Sequence, residues 1–148
     1  MLHLSACLLK HPTQHRRTLK MFCSTPHCGC IALQDNSSAV REIIRKTEAL
    51  IIQRRQLFNE KNVSDYNEYI MLEALPLTVI FIDDYAAFSE GFTNESEKLN
   101  KILRAGPACG IRVIISSSHT SDVRFRVKQN ISDFIALSLA SSVIFLKL

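Results

Sequence analysis

Two carboxylates, Asp83 and Asp84, follow directly on an almost unbroken apolar and β-branched run, Leu77-Thr78-Val79-Ile80-Phe81-Ile82. Such a run reads as a strand buried on both faces, as strands in the middle of a parallel sheet are. Open parallel sheets bind ligands outside the carboxyl ends of their strands, so the two acids leave the strand where chemistry is done. Apolar residues followed by two acids form the Walker B pattern. Its first carboxylate helps to hold Mg²⁺, usually through the ion's water shell, and its second can polarise an attacking water. The same residues also have a plainer reading, because an aspartate at a strand end often caps the next helix. A second buried run, Ile111 to Ile115, brings Ser116-Ser117-Ser118-His119 to the same edge.

Other groupings carry less. Cys23, Cys28 and Cys30 with His27 lack the two spaced pairs that zinc sites usually show. Cys28 and Cys30 fall on one face of a short apolar segment, Cys28 to Leu33, expected to be a buried strand with buried thiols. Cys109 and His119 have neither an orienting partner nor an oxyanion donor, so nucleophilic catalysis is not indicated. Arg41, Arg45, Lys46, Arg54 and Arg55 lie on one helical segment and read as its solvated face. The alternative for them is contact with a neighbouring subunit or with DNA.

The elements that must position these residues follow from periodicity and punctuation. Asp35-Asn36-Ser37-Ser38 supplies side-chain oxygens suited to a helix N-terminus. Beyond it Val40, Ile43, Ile44, Ile51 and Phe58 recur at helical spacing, which predicts one amphipathic helix from about Ser37 to about Asn59. A second helix is expected over Ser64 to Leu72, capped by Ser64, and a third over Asn94 to Ala105. Phe134 to Leu139 reads as another buried strand. Leu2, Leu4, Leu8 and Leu9 suggest one more, ended by His11-Pro12 and followed by a basic stretch through Lys20. Strands alternating with helices imply an α/β fold with a mostly parallel sheet of about five strands.

Length and composition agree. The 148 residues suit one domain, and 47% hydrophobic with 22% charged residues excludes a disordered chain. A net charge of +4 permits an anionic partner without announcing nucleic-acid binding. Five scattered cysteines fit reduced thiols rather than a disulfide framework, and no apolar run reaches the roughly 18 residues of a membrane span. The Leu2–Leu9 stretch lacks the basic flank of a secretory signal, so a cytoplasmic chain is expected.

An ordered series of motifs sharpens this reading. Gln53 to Phe58, then Asn62-Val63-Ser64-Asp65-Tyr66-Asn67, then Leu75-Pro76 leading into the Asp83-Asp84-Tyr85 strand, resemble the FtsK/SpoIIIE family of P-loop motor ATPases. Arg104 to Ile115 is similar to that family's G-R-A-x-G-I strand, and Arg126 to Leu139 to its N-I-x-x-R-I-A-L strand. Pro26-His27 stands where the family has a P-H pair before the long helix. The likeness spans roughly residues 24 to 140 in the right order. The segment Val123-Arg124-Phe125-Arg126 and the Asp83-Asp84-Tyr85 choice look most like EssC-type ATPases of type VII secretion, although Asp83 to Phe88 also resembles conjugative coupling ATPases.

The resemblance implies a RecA-like P-loop core using ATP and Mg²⁺, with Asp83 helping to hold Mg²⁺ and Asp84 at the water-orienting position. The departures are as informative. No Gly-x-x-x-x-Gly-Lys-Ser/Thr loop occurs in the sequence, so the phosphate cradle is missing. The family's catalytic Walker B glutamate is replaced by Asp84, the arginine after Gly106 by Pro107, and a Q-R-P by Ser118-His119-Thr120. Residues 141–148 leave the family pattern abruptly, as a truncation or frameshift would. The expectation is therefore one partial domain over 1–148, poorly defined over 1–30, with its Walker B strand at 77–84 and a divergent tail at 141–148. It would be a fragment of a degenerate module with an assembly or regulatory role, binding nucleotide weakly or not at all and hydrolysing no ATP alone. Its partners would be other ATPase modules of a hexameric motor and secreted protein substrates, with the parent protein at the cytoplasmic face of the bacterial membrane. The alternatives are a fragment of a DNA translocase or conjugation coupling ATPase, with DNA as partner, and a stand-alone non-catalytic binding domain.

Overall fold

The computed structural model describes residues 2–6, 26–32, 35–138 and 142–147. In chain order its regular elements are β1 (Leu2–Ala6), α1 (Ser37–Glu60), α2 (Tyr66–Ile70), β2 (Leu77–Ile82), α3 (Tyr85–Gly91) and α4 (Thr93–Ala105). They continue with β3 (Ile111–Ser117), α5 (Phe125–Lys128), β4 (Asp133–Ser138) and β5 (Ser142–Lys147). Single 3₁₀ turns precede and follow β3, at Pro107–Cys109 and Thr120–Asp122.

The strands form one five-stranded sheet in the order β1-β2-β3-β5-β4. The β1, β2 and β3 strands run parallel, with α1 and α2 in the first crossover and α3 and α4 in the second. This is the α/β core that the alternating pattern predicts. The 141–148 tail departs from the parallel rule: β5 lies antiparallel to both β3 and β4 and separates them. Only residues 139–141 link β4 to β5. A parallel return needs a crossover of about a dozen residues or more, whereas a short link permits only a hairpin.

Helix α1 forms where the cap and the apolar period agree. The Asn36 side chain accepts a hydrogen bond from the Ala39 N–H at 3.1 Å, and Val40, Ile43, Ile44, Thr47, Ile51, Arg54 and Phe58 make its buried stripe. The α4 helix buries Leu99, Ile102 and Leu103, and packs against α1. These stripes meet Ile80, Ile82, Ile111, Val113 and Ile115 from the sheet and Tyr85, Phe88 and Phe92 from the α3 region in one main core. Phe58, Tyr66 and Tyr69 form a smaller cluster beside it.

Three sequence expectations are corrected, and a fourth falls partly outside the described residues. The second helix is shorter, Tyr66–Ile70, and its cap is Asp65 rather than Ser64: Asp65 Oδ1 accepts from the Glu68 N–H at 3.0 Å. Ser64 instead donates its own N–H to the Glu68 carboxylate at 2.7 Å. Cys28 to Ala32 is no strand beyond a single bridge at Cys28 (Leu33 lies outside the described residues), and Cys28 is half-buried while Cys30 is exposed. The β4 strand is not buried on both faces, because it forms the sheet edge and leaves Phe134 56% and Ile135 46% exposed. Finally, β1 is described only to Ala6, so Leu8, Leu9 and the basic stretch at 15–20 lie outside the described residues, as does Cys23.

Candidate functional site

The register of the sheet brings the chemical groups together. Ile82 of β2 pairs with Ile115 of β3, so the next residues, Asp83 and Ser116, leave neighbouring strands at the same level. The Ser116 hydroxyl donates to Asp83 Oδ1 at 2.6 Å and accepts the Asp84 N–H at 3.0 Å. Both aspartates are half-buried. Asp84 adopts a left-handed backbone, φ 61° and ψ 77°, which aspartate tolerates better than most residues. From there its Oδ1 accepts the Ala87 N–H at 3.3 Å and its carbonyl accepts the Phe88 N–H at 3.1 Å, making Asp84 the N-cap of α3. Of the two readings that the sequence leaves open for the second acid, helix capping is thus realised in the geometry.

The residues after Ser116 tie up the loop rather than extend the site. The Ser117 hydroxyl lies 2.9 Å from the His119 carbonyl and 3.3 Å from Asp122 Oδ2, while the His119 N–H donates to Asp122 Oδ2 at 3.1 Å. Ser118, His119 and Thr120 are exposed. Cys109 and His119 are not brought together. Cys109 is buried before β3 begins, its thiol toward the Ile51 carbonyl at 3.9 Å, and His119 follows the end of that strand. A strand of this length separates them by about 20 Å at roughly 3.3 Å per residue.

The donor set fits part of a Mg–nucleotide site. Mg²⁺ is commonly bound through one or two carboxylates with water and substrate phosphates completing the shell, and Asp83 with Ser116 offers such an anchor. A glycine-rich loop to cradle the phosphates does not occur in the sequence. Gly29, Gly91, Gly106 and Gly110 are the only glycines and none belongs to a phosphate loop. Among the described residues no group of three His, Cys, Asp or Glu could hold a metal ion. These residues by themselves do not make a complete Mg–ATP site.

Sequence reasoning missed Arg54. It is 3% exposed and belongs to the core stripe of α1, not to its solvated face, where Arg41, Arg45, Lys46 and Arg55 do lie. Its Nη1 donates to the Cys109 and Gly110 carbonyls at 2.7 and 2.9 Å, and its Nη2 to the Pro76 carbonyl at 2.6 Å and Thr78 Oγ1 at 3.2 Å. The guanidinium also stands 5.9 Å from the centre of the Tyr66 ring. Burial lowers its pKa from the ordinary arginine value, against opposing contributions from Tyr66 and Cys109. Gly110 is fixed in the same knot: its φ is +68°, and a Cβ there would stand 2.2 Å from the Tyr66 ring. Arg54 thereby ties α1 to the starts of β2 and β3, the strands that carry the acids at their far ends. The signal was its spacing, three residues after Ile51 and four before Phe58.

No family model matches the chain. It is 29% identical over 119 residues to the type VII secretion system protein EssC of Staphylococcus aureus (strain MRSA252), an alignment covering 77% of this chain and 8% of EssC. EssC (ATPases 2 and 3) from Geobacillus thermodenitrificans superposes with a TM-score of 0.76 at 24% identity, over 87% of this chain and 24% of that one. Thermomonospora curvata EccC (ATPases 2 and 3), solved in complex with a signal sequence peptide, gives 0.75 at 19% identity, over 86% and 24%. The two structures share the α/β core described above, and the chain spans only a small share of the proteins it matches. By motif order, sequence similarity and fold, the chain is a homologue of the EssC/EccC ATPases of type VII secretion, which are of the FtsK/SpoIIIE type.

Proposed function

We propose that this chain serves a type VII secretion motor as a degenerate ATPase module, in assembly or regulation, and turns over no ATP by itself. The observation that carries this reading is Asp84, whose carboxylate caps α3 from a left-handed backbone instead of standing free beside Asp83. The missing phosphate loop and the exposed Ser118-His119-Thr120 segment support the same conclusion. Within a complete module Asp83 is the side chain that would hold Mg²⁺ through its water shell, with Asp84 at the position that elsewhere orients water.

The partners proposed are other ATPase modules of a hexameric motor and the proteins that it exports. That an EccC was solved with a signal sequence peptide supports export over DNA movement. A motor that spends ATP on proteins still to be exported must act at the cytoplasmic face of the membrane, where both are found. No described helix is long and apolar enough to cross a membrane.

Phosphate release by the purified full chain in Mg–ATP tests the reading. No turnover above a protein-free blank is expected. Turnover that Asp83→Ala abolishes would show an intact site and overturn it, and DNA-stimulated turnover by the parent protein would favour a DNA translocase.

A further inference from the structure

A concavity lies away from the acids, between α4 and α5. Glu97, Asn100, Lys101 and Arg104 face it from α4, at the three- and four-residue spacings that place side chains on one helix face. Arg126, Gln129 and Asn130 face it from α5 and its C-terminal end. Its volume of about 580 Å³ falls within the range of sites that enclose a ligand, which is of order 300–1,000 Å³.

Its charges lack local compensation. Among the described residues Lys101, Arg104 and Arg126 make no ion pair, although Arg41, Arg45 and Lys46 on α1 each stand beside a carboxylate. Three cations against the single carboxylate of Glu97 leave the cleft positive. The Asn100 amide adds a second, independent mark. Its Nδ2 donates to the Ser96 carbonyl at 3.2 Å, but its Oδ1 is buried without a partner among the described residues. A buried acceptor without a donor is costly, of order 1–3 kcal/mol, and buried polar groups are normally satisfied.

We propose that this cleft binds an acidic peptide segment of a partner protein. Carboxylates on that segment would meet Arg104, Arg126 and Lys101, since charge-assisted bonds to guanidinium groups are strong and directional. A backbone N–H would satisfy Asn100 Oδ1, and the amides of Gln129 and Asn130 suit peptide groups. A phosphate group supplies no donor for Asn100 and would face Glu97 unfavourably. Extended nucleic acid calls for a continuous basic track, which the carboxylate-paired cations of α1 do not provide. The proposal does not depend on whether the chain hydrolyses ATP.

Fluorescence anisotropy with the full chain and a labelled octapeptide of alternating glutamate and serine tests it. Arg104→Gln with Arg126→Gln is expected to weaken binding at least about tenfold, and Asn100→Leu about threefold or more. Lys46→Gln with Arg55→Gln removes the same charge elsewhere and should leave affinity within about twofold. A glutamine-for-glutamate peptide should bind at least about tenfold more weakly than the acidic one. Circular dichroism of each variant shows that the fold is retained. Equal losses in the two double variants, or no binding at about 1 mM peptide, would overturn the proposal. Tighter binding of ATP or single-stranded DNA, lost in the same cleft variants, would overturn it in favour of a phosphate site.

Discussion

Asp83, Asp84 and Arg54 are three charged side chains whose surroundings give them three different tasks. Asp83 accepts the Ser116 hydroxyl, Asp84 caps a helix, and Arg54 gathers backbone carbonyls. If Asp84 acts through its cap, Asp84→Asn should keep stability within about 0.5 kcal/mol in urea unfolding, because asparagine caps as well and tolerates a left-handed backbone. Asp84→Ala should lose about 1–3 kcal/mol, through the lost cap and the cost of alanine at positive φ. Removing Arg54 leaves carbonyls without their donors, so Arg54→Met should cost about 2–4 kcal/mol by the same measurement. On the exposed face, hydrogen bonding to Arg45 holds the Glu42 carboxyl below its ordinary 4.5, with Lys46 helping. A depressed folded-state value means that the contribution of the pair is present above 4.5 and fades as pH falls through the folded value. NMR titration should place Glu42 below 4.5, and Arg45→Ala should move it up toward that value.

At the scale of elements, α1 and β2 were legible because local signals agree. A cap precedes an apolar stripe in the first, and an unbroken apolar run ends at two acids in the second. The β4–β5 hairpin was not. An apolar run does not say whether its strand will be central or at an edge, and β4 took the edge because β5 pairs between it and β3. Backbone pairing by β5 also borders the site, since Ile144 stands opposite Ser116 on one side and Ile135 on the other. Proline lacks the N–H and is excluded from central strands. Ile144→Pro should therefore cost about 3 kcal/mol or more in thermal or urea unfolding. A stability unchanged by that substitution would mean that β5 contributes little pairing.

For the whole molecule, the proposal that only part of a Mg–nucleotide site is present has a thermodynamic consequence. A ligand that binds only the folded state stabilises it by RT ln(1 + L/Kd) at free concentration L, which is small when L does not exceed Kd. Mg–ATP at about 1 mM should thus raise the melting temperature by less than about 1 °C, as scanning fluorimetry would show. The sequence by itself determined the α/β class, the strand that ends at Asp83 and Asp84, the absence of a phosphate loop and the kinship with type VII secretion ATPases. Each of these rests on local pattern or ordered motifs, which need no knowledge of what packs where. Only the tertiary structure decided that Ser116 shares its hydroxyl between Asp83 and the Asp84 backbone, because strand register sets that meeting across 33 residues. It also decided that Arg54 is buried, and that cations of α4 and α5 face one cleft. Residue type records a preference for water or for charge partners. Which neighbours satisfy that preference is settled when distant segments pack together.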